Sequence, residues 1–192
     1  MFSGIIQTLA KAQKIEKGKN TLKIYFQHQE KYLPKLGESI AIDGICSTIE
    51  SSTKNNFSVF YMPETLRKTN LAHITSAHTY NIEMPLTLNT LISGHLVTGH
   101  IDTTAKLLTI NKKGNSYLMT FKLPSKFTKY IVYKGSIALN GVSLTIVSSA
   151  KNLFSVSLIP FTLRNTNLGN LKIGDLVNVE VDMIAKYLEK LK

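Results

Sequence analysis

Residues 39–71 read SIAIDGICSTIESSTKNNFSVFYMPETLRKTNL, and residues 136–168 read SIALNGVSLTIVSSAKNLFSVSLIPFTLRNTNL. The two stretches align without a gap at an offset of 97, with 20 of 33 positions identical. The match extends outward. Asn81-Ile82-Glu83 falls on Asn178-Val179-Glu180. Ser3-Gly4-Ile5-Ile6-Gln7-Thr8 falls on Thr98-Gly99-His100-Ile101-Asp102-Thr103 at an offset of 95. The chain is therefore one unit used twice, over 1–95 and 96–192, and an internal repeat decides the architecture before any local reading does.

Each copy reads as strands. Residues 21–27 alternate polar and apolar, the pattern of a half-buried strand. Strands are predicted at 39–42 and 46–50, on either side of the turn signal Asp43-Gly44, and at 57–62 and 80–84. A short helix is predicted from Pro63, because proline suits the first helical position and good helix formers follow. The second copy repeats the series with strands at 117–123, 136–139, 143–147, 154–159 and 176–182 and a helix from Pro160. A hairpin around Lys113-Gly114-Asn115 precedes it, and an added helix is predicted over 124–131. Many short strands at near-regular spacing predict an all-β chain, here two small antiparallel barrels. Over 183–192, Ile184, Tyr187, Leu188 and Leu191 fall at helical spacing. So short a helix needs a partner for its stripe, either its own barrel or copies of itself, and spacing does not choose between them.

Composition narrows the function. The 192 residues carry 23 Lys+Arg against 12 Asp+Glu, a net charge of +11, and 43% are hydrophobic, which excludes a disordered chain. A basic surface attracts phosphate. The arginines, however, are just Arg67 and Arg164, at equivalent positions of the repeat, and the lysines are scattered. Nucleic-acid sites favour arginine forks and interleaved aromatics, so a solvated lysine surface is the better reading and a nucleic-acid-binding barrel a remote alternative. A single cysteine, Cys46, cannot form an internal disulfide or a multi-cysteine zinc site, which points to a reducing compartment. No apolar run approaches the ~18 residues of a membrane helix, and residues 1–6 lack the basic start of a signal peptide. The expectation is a cytoplasmic protein with no membrane partner. His95 and His100 have only Asp102 near them at ligand spacing, too little to predict a metal site.

Differences inside the matching blocks are informative. Cys46 is matched by Ser143, Ile5 by His100 and Pro85 by Asp182. Two related pockets given different jobs would carry such differences. Drift is the alternative, since a free cysteine commonly serves as a small buried hydrophobe.

The segments MFSGII, DGICSTI, FYMPETLRKTNL, GHLVTGHID, YKGSIALNGVSLTI, LIPFTLRNTNL and GDLVNVEVDMIAKYLE resemble the riboflavin synthase α-chain family, in order and over the whole chain. The resemblance implies two tandem six-stranded antiparallel Greek-key barrels and a C-terminal helix that holds a homotrimer. It implies an active site between the first barrel of one subunit and the second barrel of its neighbour. The family's reaction is the dismutation of two molecules of 6,7-dimethyl-8-ribityllumazine to riboflavin and 5-amino-6-ribitylamino-uracil, a four-carbon transfer without metal or other cofactor. Association with lumazine synthase is left open.

Carried over, the resemblance assigns Gly4, Ile5, Ile6, Cys46, Ser47, Thr48, Phe60, Tyr61, Met62, Pro63, Glu64 and Thr65 to a first pocket shaped by Phe2. It assigns Gly99, His100, Ile101, Lys134, Ser143, Leu144, Thr145, Ile159, Pro160, Phe161, Thr162, Leu163 and Arg164 to a second. His100 is the expected general base, because imidazole titrates near neutrality and the substrate's 7-methyl protons are acidic. Cys46 is expected as nucleophile or polarising contact, and Ser143 with Asp182 as a proton-transfer pair. Ser47 stands where the family has leucine, Phe161 where a polar residue is common, and Ala77-His78 where the second copy has Gly174-Asp175. The alternative function is that of the lumazine proteins, which bind the chromophore without converting it; retention of Ser143, Thr145, Pro160, Thr162 and Asp182 favours the enzyme.

Overall fold

The computed structural model describes residues 1–27, 34–74 and 78–191. Ala77 of the expected turn and Lys192 at the chain end lie outside them. The first barrel comprises β1 (Thr8–Lys17), β2 (Leu22–Gln27), β3 (Ser39–Ile42), β4 (Ile45–Ser52), β5 (Asn56–Tyr61) and β6 (Thr79–Glu83). Its closed order is β1-β2-β5-β4-β3-β6, every pairing antiparallel. Strands β3, β4 and β5 follow one another and β6 returns beside β3, which is a Greek key. The second barrel repeats this order with β7 (Thr103–Lys113), β8 (Ser116–Lys122), β9 (Ser136–Leu139), β10 (Val142–Ala150), β11 (Leu153–Leu158) and β12 (Leu176–Val181). Short helices α1 (Pro63–Lys68) and α2 (Pro160–Asn165) follow the fifth strand of each barrel, and α3 (Met183–Lys190) ends the chain. No helix among the described residues is long and apolar enough to cross a membrane.

Two elements differ from the sequence-based expectation. Strand β1 carries the polar run KAQKIEK and has Ala10 as its one buried residue, so alternation does not reveal it. The segment expected as a helix over 124–131 is a 3-10 turn, Ser125–Tyr130. Phe127 N–H donates to Pro124 O and Ile131 N–H to Thr128 O, both three residues back rather than four.

The barrels are filled alike. Phe26 stacks on Phe57 with centroids 5.3 Å apart, and Phe121 stacks on Phe154 at 5.5 Å. All four are buried, and offset stacking adds to their area burial. One pair of positions is filled differently. Ser47 and Tyr61 are buried in the first barrel, their hydroxyls 2.9 Å apart, where the second copy has Leu144 and Leu158. Ser47 also donates to Ile45 O at 2.9 Å. The unusual serine is thus the partner of a core tyrosine that would otherwise bury an unmade hydrogen bond.

A pseudo-twofold network joins the barrels. The turns at Asp43-Gly44 and Asn140-Gly141 have positive φ at all four residues, as tight hairpin turns of this kind require. They meet back to back: a Cβ on Gly44 would lie 2.6 Å from Gly141 N, and one on Gly141 would lie 2.8 Å from Gly44 N. Around them, Asn81 Nδ2 donates to Asn140 O at 2.8 Å and Asn178 Nδ2 to Asp43 O at 3.0 Å. Asn167 N–H donates to Asn81 Oδ1 at 2.7 Å and Asn70 N–H to Asn178 Oδ1 at 2.8 Å.

The symmetry is broken by charge. Asp43 is fully buried and accepts from Asn81 N–H and Asn167 Nδ2, and its Oδ2 lies 2.7 Å from His78 Nε2; its counterpart, Asn140, is neutral. Burial pushes the Asp43 carboxyl above its ordinary range, against the pull of His78 and the hydrogen bonds. A carboxyl raised in this way contributes stability that is present at low pH and lost as pH rises through its folded value. Asp43→Asn removes that loss. In urea unfolding the variant is expected to be the more stable at neutral and alkaline pH, with the two proteins converging as pH falls toward the ordinary aspartate value of about 3.9. The reverse order at neutral pH would mean that the His78 contact outweighs burial.

Candidate active site

The segments before the first strand of each barrel cross over to the other barrel. Gly4 O accepts from Ser143 N–H at 2.8 Å, and Gly99 O accepts from Cys46 N–H at 2.8 Å. Both glycines have positive φ, +76° and +81°, and both lie where a Cβ would be 2.6 Å from the facing residue's Cβ. Ile6 packs on the core of the second barrel and Ile101 on that of the first. The grouping expected from sequence is therefore exchanged: Gly4, Ile5 and Ile6 belong with Ser143, while Gly99, His100 and Ile101 belong with Cys46. Phe2 is also relocated. It is fully buried between the barrels with Ala41, Val97 and Ala138, pairing its backbone with Val97, and does not border an open pocket.

At Ser143 the structure adds a residue that sequence reasoning treated only as a weak metal ligand. His95 Nδ1 lies 2.7 Å from Ser143 Oγ. Burial pushes the His95 imidazole below its ordinary pKa, opposed by the charges of Asp182 and Glu180, so a neutral ring is favoured near neutral pH. Its Nε2 is buried without a hydrogen-bond partner among the described residues. A neutral imidazole on a hydroxyl is an arrangement that can take and return a proton. Ser143 thus pairs with His95 rather than with Asp182, whose carboxylate caps α3 by accepting from Ile184 N–H at 2.9 Å. His95 lies outside the matched blocks of the repeat, so comparing the copies does not single it out; its contact with Ser143 reveals it.

The other nominated residues sort by exposure. Cys46 is half-buried beside Phe2 and Val97. His100, Ile5, Thr48, Thr145 and Lys134 are exposed, and Lys134 holds a left-handed backbone at φ 66°. At the ends of β5 and β11, Phe60, Met62, Ile159 and Phe161 are exposed, 41%, 58%, 56% and 66% respectively. Thr65, Pro160, Thr162 and Leu163 are half-buried, and Leu144 and Leu163 pack on the second core. Glu64 is engaged with Arg67 and Lys68 along α1, and Pro63 and Arg164 face solvent. Ser47 and Tyr61 are inside the barrel and reach no open surface, which corrects their assignment to the pocket. A cleft of about 590 Å³ between the 3-10 turns Asn70–His73 and Asn167–Asn170 is lined by none of the nominated residues. The nominated groups instead lie away from that cleft, on the two barrels and on the segments that cross between them.

Two closed barrels in tandem, each bordered by a crossing segment, define the class. The chain belongs to the lumazine binding domain family, which it matches twice, over residues 3–85 and 98–182. Among curated relatives it is 38% identical to riboflavin synthase of Actinobacillus pleuropneumoniae, covering 99% of this chain and 89% of that one. It is 38% identical to the enzyme of Bacillus subtilis (98% and 88%) and 42% identical to that of Schizosaccharomyces pombe (81% and 75%). Within the larger class the chain is a member of the riboflavin synthase family of enzymes. The fold also superposes on LumP complexed with riboflavin, with a TM-score of 0.88, 22% identity and coverage of 95% of this chain and 100% of that one.

Proposed function

We propose that this protein is a homotrimeric, cytoplasmic riboflavin synthase that converts two molecules of 6,7-dimethyl-8-ribityllumazine into riboflavin and 5-amino-6-ribitylamino-uracil. The observation that carries the reading is 38% identity to a riboflavin synthase over 99% of the chain, whereas the likeness to LumP is one of fold. The reaction moves a four-carbon unit between two copies of one substrate, so the partners must meet face to face. Two related half-sites suit that need, and orienting both partners contributes up to roughly 7–11 kcal/mol. The first barrel of one subunit and the second barrel of its neighbour close over the pair.

Ser143 and His95 form the proton-transfer couple of the second half-site, with Asp182 and Glu180 setting the field around the ring. His100 and Cys46 border the first half-site, His100 as a second proton carrier and Cys46 as a polarising contact on the ring. Trimer formation is supported by α3. Its stripe of Ile184, Tyr187, Leu188 and Leu191 is 61–83% exposed in the single chain, while polar pairs, Lys186 with Asp102 at 2.7 Å and Lys129 with Glu189 at 3.2 Å, hold the helix to its own barrel. An apolar face left open in this way is an interface signal.

Mixing purified protein with the lumazine and following riboflavin absorbance tests the activity. Turnover is expected; binding without turnover would place the chain with the non-catalytic lumazine proteins. Leu188→Glu is expected to give a monomer by light scattering and to abolish turnover with it. A fully active monomer would overturn the intersubunit site.

A further inference from the structure

Each half-site is bordered by a backbone segment that a carboxylate of the opposite barrel holds in place. Glu83, at the end of β6, accepts Ser3 N–H and Ser3 Oγ–H on Oε1, both at 2.7 Å, and Gly4 N–H on Oε2 at 3.1 Å. Glu180, at the end of β12, accepts Thr98 N–H at 2.7 Å, Thr98 Oγ1–H at 2.6 Å and Gly99 N–H at 2.8 Å. Both side chains are 2% exposed. The carbonyls of the same two glycines then accept from Ser143 N–H and Cys46 N–H. A continuous hydrogen-bonded path therefore runs from Glu83 in the first barrel to Ser143 in the second, and from Glu180 in the second barrel to Cys46 in the first.

We propose that Glu83 and Glu180 are crossed positioning residues: each sets the geometry of the half-site on the barrel to which it does not belong. A carboxylate with two oxygens can accept all three N–H and O–H groups at once, and buried charge-assisted bonds of this kind hold geometry more tightly than neutral ones. A glutamine offers one acceptor oxygen and turns an N–H toward the glycine N–H, so the segment must shift. A displacement of about 1 Å beside reacting groups is enough to cost roughly 100-fold in rate. The consequence for turnover rests on the function proposed above; the structural coupling does not.

Cys46 supplies a direct reporter. It is the one cysteine of the chain, so protein labelled with ¹⁵N-cysteine gives a single amide resonance, that of the N–H bonded to Gly99 O. Glu180→Gln is expected to move this resonance more than Glu83→Gln, although Glu83 lies in the same barrel as Cys46, because the Ser3-Gly4 segment reaches Cys46 only indirectly, through Phe2 and Val97. Thr98→Val, which deletes one of the three bonds to Glu180, is expected to move it as well, and by more than Ser3→Ala does. These milder variants keep the test intact if a glutamine variant folds poorly. Both glutamine variants are expected to lower turnover roughly 10–100-fold. The opposite order, with Glu83→Gln moving the cysteine resonance as much as or more than Glu180→Gln, would overturn the crossing. If wild-type protein shows no turnover but the resonance behaves as expected, the proposed reaction fails and the positioning stands.

Discussion

Gly44→Ala is expected to lower the midpoint of thermal unfolding by roughly 4–20 °C, a large effect for one methyl group. Two costs combine. Gly44 has φ +76°, where an L side chain costs about 1–2 kcal/mol. The added Cβ would also lie 2.6 Å from the Gly141 nitrogen, backbone against backbone, so no side chain can swing aside. Overpacking of that kind costs a further ~1–3 kcal/mol. For a chain of this size each kcal/mol moves the midpoint by roughly 2–4 °C. Gly114→Ala separates the two costs. Gly114 also has positive φ, but nothing lies within 4 Å of its Cβ position. Its midpoint is expected to fall by the backbone part alone. Equal shifts in the two variants would mean that the glycine contact does not hold the barrels together.

His95→Ala is expected to lower lumazine turnover by roughly 10²–10⁴, the range associated with a positioned general acid or base. The barrels are expected to remain folded, because His95 lies on the segment joining them and contributes to neither core. The pH dependence is the sharper test. Burial holds the imidazole below its ordinary value of 6.5, so the neutral ring persists into mildly acidic solution. The acid limb of kcat/KM is therefore expected below about 6.5 in the native enzyme and is expected to be missing in the variant. Ser143→Ala should resemble His95→Ala, and the double variant should be little worse than either, since the two groups act as one unit. Additive losses would show that they act separately. His100→Ala is expected to reduce turnover without a change of oligomeric state, and an unchanged rate would remove His100 from the proton path.

Much of this molecule is legible in its residues because the repeat speaks for itself. Residues 39–71 and 136–168 announce a duplicated unit, and alternation places most strands within a residue or two. Strand β1 escapes because its side chains are largely solvated, and a half-wet polar strand has no period to read. The 3-10 turn at Ser125–Tyr130 escapes because its composition suits either helix, and only the hydrogen bonds show a step of three residues.

The site divides in the same way. The residues suffice to give the two barrels, their homology, the kinship with riboflavin synthases and the positions that distinguish the copies, Cys46 against Ser143 and Ile5 against His100. Those facts reside in residue type and order along the chain. Which residues stand together emerges on folding: Gly4 on Ser143, Gly99 on Cys46, His95 on Ser143, and Ser47 on Tyr61 inside the barrel. The reason is physical. Periodicity records which face of an element is buried, whereas pairing across two barrels depends on backbone carbonyls and amides, which every residue carries and no sequence pattern marks.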